Sequence, residues 1–421
     1  VYWEQTVQCE AATDIGLRRK NNEDSHCVHV CQEENEWRRT GHLLMVADGM
    51  GGHAVGELAS RLAIETVPHV FLKSSPGDPR RQMHDAVVAA NQAIYERGTQ
   101  NVDFLHMGTT CSALALTSRG AVIGHVGDSR VYRVRRDRID QLTFDHSLQW
   151  ELERQHGDLQ GIVDLSQHKN IITRSLGPEE SVEVDVEGPI LTLPGDSFLL
   201  CSDGLSNQLT DSEMGAIVRE LPPTQAARLL INLANIRGGP DNITAIVARV
   251  GELPANVTPR IADETFGESS GLSGFWLAGI WSGAGCLAIG IGLLLFHHRG
   301  PGGFFVALGC LILAVLIGLA IRFRPASPKT QDSDEFQTQH SRPYRTAVGL
   351  SSSELADLLL RTDFELQRSA REDGWNVNWE EHDRAIASSQ ALVREKRHSR
   401  AVRDVARAIQ IVMSELPRRT L

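Results

Sequence analysis

Leu43-Leu44-Met45-Val46-Ala47-Asp48-Gly49 is an unbroken apolar run that stops on a carboxylate and a glycine. A continuous run of this length reads as a strand buried on both faces or packed beneath helices. The design recurs along the chain. Val122 to Gly127 leads into Asp128, and Phe198-Leu199-Leu200-Cys201-Ser202 leads into Asp203-Gly204. A fourth aspartate, Asp241, stands just before the run Ile243 to Val250. Carboxylates at strand ends can converge on one rim of a sheet stack, and glycine beside them lets the backbone turn sharply and expose its carbonyl. One Asp-Gly after a strand is only a turn. Three strand-terminal aspartates, with a fourth before a strand, exceed what turns require.

Several carboxylates brought together cannot all stay ionised without compensation, because like charges at close range repel. A divalent cation resolves this, and ligands that are all oxygen select hard ions such as magnesium or manganese over zinc. A basic partner lies upstream in Thr13-Asp14-Ile15-Gly16-Leu17-Arg18-Arg19-Lys20-Asn21-Asn22-Glu23-Asp24-Ser25. Arginine suits bidentate phosphate binding. Alone, such a cluster is more often a solvated face, but the neighbouring Glu23 and Asp24 add carboxylates within reach.

These stretches together resemble the metal-dependent type 2C (PPM) serine/threonine protein phosphatases in their bacterial form. The resemblance covers about residues 9–250. It is carried, in order, by Thr13-Asp14-x-Gly16-x-x-Arg19-x-x-Asn22-Glu23-Asp24, by Val46-Ala47-Asp48-Gly49-Met50-Gly51-Gly52-His53 with Gly56-Glu57, and by Gly108-Thr109-Thr110. Val126-Gly127-Asp128-Ser129-Arg130, Asp145-His146-Ser147, Ile172-Thr173-Arg174-Ser175-Leu176-Gly177, Ser202-Asp203-Gly204 and Gly239-Pro240-Asp241-Asn242 complete it. The resemblance implies an α+β fold, a four-layer α-β-β-α sandwich of two antiparallel sheets flanked by helices, with a metal cluster at one end. It also implies that Asp48 bridges two manganese or magnesium ions. The Gly49 carbonyl completes the first site, and Asp203 and Asp241 the second. Asp24 and Glu23 act near the metals through bound water, and Asp128 holds a weaker third ion. Arg19 is the phosphate-binding arginine, leaving Arg18 as surface charge, and the stretch Asp145 to Thr173 is the flap that shapes substrate access.

The implied chemistry is hydrolysis of phosphoserine and phosphothreonine on proteins by a water activated between two ions. Arg19 offsets charge on the phosphoryl oxygens, and there is no phosphoenzyme. None of the seven cysteines is followed six residues later by arginine, which excludes a cysteine-nucleophile phosphatase. Some eukaryotic members place a histidine after the Asp-Gly pair as an acid. Here that position is Met50, so the acid is unassigned, and His53 reads as a loop-packing residue.

The rest of the 421-residue chain divides around this block. A phosphatase-like domain spans 1–250, and a Gly-, Ser-, Pro- and Thr-rich linker spans 251–274. Two runs free of Asp, Glu, Lys and Arg, Phe275 to Phe296 and Phe304 to Ile321, follow. They would reach about 33 and 27 Å as helices, enough for a bilayer core. The turn-rich His297-His298-Arg299-Gly300-Pro301-Gly302-Gly303 between them makes the pair a two-pass transmembrane hairpin. Arg322, Arg324 and Lys329 outweigh the single arginine of that loop, so the catalytic domain and the tail are both expected on the cytoplasmic side of the cell membrane. A polar linker, 322–350, leads to a helical cytoplasmic tail at 351–421. In that tail Ser351 and Glu354 form a capping-box pattern, Leu355, Leu358, Leu359 and Leu366 share a face, and Val402, Val405, Ile409, Val412 and Leu416 recur at helical spacing. No signal peptide is expected from Val1-Tyr2-Trp3-Glu4.

The net charge of −11 argues against nucleic acid as a partner. The odd, scattered cysteines read as free thiols in a reducing compartment, and Cys27-Val-His-Val-Cys31 lacks the second ligand pair that zinc needs. The partners implied are phosphorylated Ser/Thr proteins, including a Ser/Thr kinase that the enzyme opposes, and the bilayer. Two alternatives stand beside this reading: a phosphatase acting on an anti-sigma antagonist, and an inactive membrane scaffold that binds phosphoproteins.

Overall fold

The computed structural model describes residues 6–52, 54–104, 107–156, 171–251 and 343–416, with isolated positions between 288 and 310. In chain order the elements are β1 (Val7–Asp14), β2 (Asp24–His29), α1 (Glu34–Arg39), β3 (His42–Met50), α2 (Ala54–Lys73), α3 (Pro79–Thr99), β4 (Gly108–Thr109), β5 (Cys111–Thr117), β6 (Gly120–Val126), β7 (Arg130–Arg135) and β8 (Arg138–Gln141). Next come α4 (Leu148–His156), β9 (Asp185–Ile190), β10 (Ser197–Cys201), α5 (Asp203–Ser206), α6 (Asp211–Glu220), α7 (Pro223–Ile236) and β11 (Ile243–Val250). The tail supplies β12 (Arg345–Val348), α8 (Ser352–Glu372), α9 (Trp379–Arg394) and α10 (His398–Met413).

The strands form two antiparallel sheets, ordered β1-β11-β10-β7-β8-β12 and β2-β3-β5-β6-β9, with β4 paired to β3. The unbroken apolar runs are explained by what lies on each side of them. In β3, Leu44 and Val46 join a cluster with Phe198, Leu200, Ile246 and Ala248 of the other sheet. The alternate residues Leu43, Met45 and Ala47 pack with Ala59, Val67, Met83 and Val87 of α2 and α3. On the opposite sheet, Leu199, Ala245 and Val247 face Ile217, Leu230 and Ala234 of α6 and α7. A strand with apolar neighbours on both faces has no position left for a polar side chain, so period-2 alternation disappears. The helix–sheet–sheet–helix order of the sandwich follows from these three clusters.

The tail belongs to the same compact unit, which comprises Val1–Arg260 and Gln337–Leu421. The capping box of α8 is present, with Ser351 Oγ accepting from the Glu354 N–H and Glu354 accepting from the Ser351 N–H at 2.8 Å. Leu355, Leu359, Val402, Val405, Ile409 and Val412 enter the core cluster that also holds α6 and α7. The stretch 322–350, expected as a polar linker, ends in a strand: β12 pairs antiparallel with β8. Its residues Arg-Thr-Ala-Val form no apolar run, and its partner lies some two hundred residues upstream, so local pattern carries no sign of it. Among the described residues no helix is long and apolar enough to cross a membrane. The stretches 275–296 and 304–321 lie almost entirely outside the described residues.

Candidate metal centre

β2 and β3 run side by side with Asp24 directly opposite Asp48. Around Asp48 the backbone is fixed by two threonines: its N–H donates to Thr110 Oγ1 at 2.9 Å, and its carbonyl accepts from Thr109 Oγ1 at 2.8 Å and from the Thr110 N–H at 2.9 Å. Thr110 Oγ1 lies 2.8 Å from Ser129 Oγ, tying the Asp48 end of one strand to the Asp128 turn after β6. His146 braces that turn from outside, with Nδ1 accepting from the Gly127 N–H at 2.9 Å. A Cβ at Gly49 would fall 2.1 Å from the Gly56 carbonyl oxygen, so only glycine allows β3 to meet the start of α2 this closely.

The last carboxylates come from the other sheet. Asp203 starts α5 immediately after β10, and Asp241 precedes β11. Ser202 Oγ donates to Asp24 Oδ2 at 2.7 Å and accepts from the Thr244 N–H at 3.0 Å, joining the two sheets beneath the acids. Asn242 does the same for the first turn. Its Oδ1 accepts from the Glu23 N–H at 2.8 Å, and its Nδ2 donates to the carbonyls of Ile15 and Asn21 at 3.0 and 2.9 Å. Gly16, at φ +80°, comes so close that a Cβ there would lie 2.1 Å from the Asp241 carbonyl oxygen. These contacts bring Arg19 to Asp241, with Nη2 donating to Oδ2 at 2.7 Å.

Electrostatically the acids act on one another. Burial, together with the charges of Asp203 and Asp241, pushes Asp24 up to about 7 against the hydrogen bonds from Ser202 and Thr244. Asp203 is pushed up to about 6 by burial and by Asp241, although a hydrogen bond from the Asp48 carboxyl opposes this. Asp48 is raised well above the carboxylate range by burial and then by Asp24, Asp203, Asp128 and Asp241. Asp128 is raised by burial, Asp203 and Asp145. Four carboxyls are thus driven towards holding protons, for want of positive charge. Arg19 is held charged chiefly by Asp241, but it is half exposed and, with Arg130, only partly offsets the inner acids.

Two buried oxygens, Asp24 Oδ1 and Asp128 Oδ1, have no hydrogen-bond partner. Among the described residues no three His, Cys, Asp or Glu side chains are gathered at ligand spacing. The acids lean instead on local donors: Asp24 on Ser202, Asp203 on Asn207 at 3.1 Å, and Asp241 on Arg19 and on its own Asn242 N–H at 2.8 Å. The donor set still fits hard divalent ions, since it is all oxygen, over-acidic and carries two unsatisfied lone-pair sites.

Of the residues read from the sequence, Asp24, Asp48, Asp128, Asp203 and Asp241 meet in this field, with Gly49 and Glu23 beside them. Glu23 Oε2 would lie 2.4 Å from a Cβ at Gly56, which accounts for the glycine of Gly56-Glu57. Arg18 is exposed and Met50 pairs with Gly108 at the rim. His53 and residues 157–170 of the flap stretch lie outside the described residues, and the Ser147–Ile172 bridge closes the base of that stretch. Asp145 turns inward to Arg130, at 2.7 Å, and not to the acids. Ser202 and Asn242 stand in the motifs that carry the resemblance, but no role is assigned to them there. Their types were the available signal, because small polar residues beside ligand aspartates can satisfy buried backbone groups.

An acidic, oxygen-lined rim on a two-sheet sandwich is a donor set suited to hard divalent cations. A profile of the family described as Protein phosphatase 2C matches residues 20–228. The chain is 34% identical over 250 residues to protein phosphatase PhpP of Streptococcus pneumoniae, an alignment covering 58% of this chain and 98% of PhpP. The crystal structure of the Mycobacterium tuberculosis serine/threonine phosphatase PstP/Ppp matches with a TM-score of 0.51 at 33% identity, over 58% of this chain and 99% of that one. The catalytic domain of serine threonine protein phosphatase PstP, solved in complex with 2 manganese ions, matches at TM-score 0.50 and 34% identity over the same shares. The chain belongs to the protein phosphatase 2C family, and its activity is that of a protein phosphatase.

Proposed function

We propose that the chain hydrolyses phosphoserine and phosphothreonine on proteins from a membrane-anchored position and so opposes Ser/Thr kinases. The observation that carries the catalytic part is the set of four mutually destabilised carboxyls with two unsatisfied oxygens. Asp48, Asp203, Asp241 and the Gly49 carbonyl are the residues that would hold two manganese or magnesium ions, with Asp24 close by and Asp128 at a third position. When bound, such ions supply positive charge to phosphoryl oxygens and an acidified water at neutral pH. The chain's own residues do the rest. Arg19, exposed at the rim, offers its guanidinium to the phosphate. Ser202, Asn242, Thr109 and Thr110 hold the acids in register so that little reorganisation accompanies reaction. Burial pushes the Cys31, Cys111 and Cys201 thiols up to about 12, which agrees with a mechanism that uses no thiolate.

The anchoring rests on the two uncharged runs, and Ile289, Ile291 and Leu295, helical and 55%, 52% and 74% exposed, are side chains that suit a lipid environment. The full chain should hydrolyse a phosphothreonine peptide with manganese and stop on chelation. Activity that survives the chelator would overturn the metal reading. Carbonate extraction of membranes should leave the chain in the pellet, and its release would remove the anchor.

A further inference from the structure

The tail meets the catalytic sheet at one edge. β12 covers β8, with Arg345 opposite Gln141. From that register the Arg345 guanidinium lies 4.0 Å from the Trp150 ring centre on α4, and the Tyr344 hydroxyl donates to Glu187 Oε1 at 2.8 Å. Phe144 lies between them in the chain of rings, 5.6 Å from Tyr344 and 5.2 Å, edge-on, from Trp150. Trp150 carries a second guanidinium, Arg130, at 5.7 Å. Arg130 in turn grips Asp145 through Nε and Nη2 at 2.9 and 2.7 Å, and Gln141 donates to Asp145 at 2.8 Å. Arg130 begins β7 just after the Asp128-Ser129 turn, so a run of side-chain contacts leads from the tail strand to the segment that carries Asp128.

Covering a sheet edge needs only backbone pairing. A guanidinium stacked on a buried indole, a phenol donating to a buried carboxylate and an aromatic bridge are more specific than that requirement. We infer that Tyr344 and Arg345 are positioning residues for the phosphatase site: the tail strand seats α4 and the Arg130–Asp145 pair, and through them the turn that carries Asp128. The inference rests on the reading of Asp128 as part of the metal centre.

The test compares Arg345→Ala and Arg345→Lys in the full chain in detergent. In the metal-free protein, Arg345→Ala should speed amide exchange at Trp150, Glu151, Ser129 and Arg130 by about three- to tenfold, the range a lost cation–π contact allows. The same variant should lower kcat/KM on a phosphothreonine peptide by a similar factor, with the unfolding midpoint lowered by no more than about 2–4 °C. Arg345→Lys, whose ammonium can still sit over the indole, should stay within about twofold of the parent on both measures. Unchanged exchange at α4 and at the Asp128 turn would overturn the inference. So would a rise in exchange that is uniform across the catalytic unit, since that would make β12 only an edge cover. If the parent chain itself fails to hydrolyse the peptide, the catalytic reading falls, and the exchange comparison still decides the positioning role.

Discussion

Two sets of buried acids in this molecule have opposite fates. Away from the rim, most are matched by a cation of the chain; Glu187, which takes only the Tyr344 hydroxyl and is pushed up to about 7 by burial, is the exception. Asp196 takes Nε and Nη2 of Arg135 at 2.7 and 2.8 Å, and Asp140 takes Nη2 of Arg133 at 3.0 Å. Glu213 is pulled up by burial, but hydrogen bonds from Arg237 and Thr210 outweigh this and hold it below the usual carboxylate range. At the rim, Asp24, Asp48, Asp128 and Asp203 are all raised, although half-exposed Arg19 acts on Asp203 and Arg130, already paired with Asp145, acts on Asp128 and Asp203. The fold evidently can supply guanidinium groups to buried carboxylates. Leaving one cluster only partly compensated is a cost that a cation from outside would offset, as the proposed function requires, and that contrast marks the rim off from the structural ion pairs.

The contrast predicts opposite responses to the same substitution. Asp48→Asn should cut kcat/KM on a phosphothreonine peptide by about 10²–10³-fold or more, the scale of losing one preorganised electrostatic group. In chelator, however, it should raise the unfolding midpoint by about 2–4 °C, the shift that ~1 kcal/mol produces in a domain of this size. The amide can still donate to Asp203 without requiring a proton at an acidic site. Asp196→Asn should do the reverse. Activity per folded molecule should hold, while stability falls by about 3 kcal/mol, because Arg135 is left without its charge partner. Denaturant melts of both variants in chelator decide the matter. Equal destabilisation by the two would erase the distinction drawn between the sets.

Much of the rim was legible because its signal is local. An apolar run ending in an aspartate is visible in a few residues, and three repetitions with a fourth aspartate before a run outweigh the turn reading. The double burial of β3, β10 and β11 was legible for the same reason, since a strand covered on both faces shows no alternation. What escaped the sequence was the pairing of distant parts. Asn242 donates to two carbonyls more than two hundred positions away, and Ser202 spans the two sheets. Neither contact leaves a trace in local composition. Asp145 and His146, at the start of the stretch read as the flap, hold Arg130 and the Gly127 turn, contacts that the motif alone does not reveal. The tail helices were visible from Ser351, Glu354 and their leucine spacing, but the surface their apolar faces meet was not. Amphipathic periodicity reports that a face is buried and says nothing of its partner.

The smallest effect concerns a tail acid that belongs to the compensated set. His382 is buried on α9, with Nε2 3.0 Å from Asp363 Oδ1 and Nδ1 2.9 Å from Asp383 Oδ1. Burial alone would lower its pKa, but the two aspartates prevail and raise it above the ordinary histidine value. A proton on this ring is therefore held more tightly in the folded chain than in the unfolded one. The stabilisation is fully present below about pH 6.5, the unfolded value, and is lost as pH rises through the higher folded value. Because α8 and α10 share a core with α6 and α7, the loss should register in the midpoint of the catalytic unit as a whole. The gap in midpoint between the parent and His382→Gln should thus be widest near pH 5.5 and narrow by about 2–4 °C towards pH 8.5. Measuring that gap, and not either midpoint alone, cancels the protons released by the acidic rim, which would otherwise shift both proteins in the same direction. A gap that stays constant across the range would mean that His382 does not titrate there, and the tail pair would then have to be read as a neutral hydrogen bond.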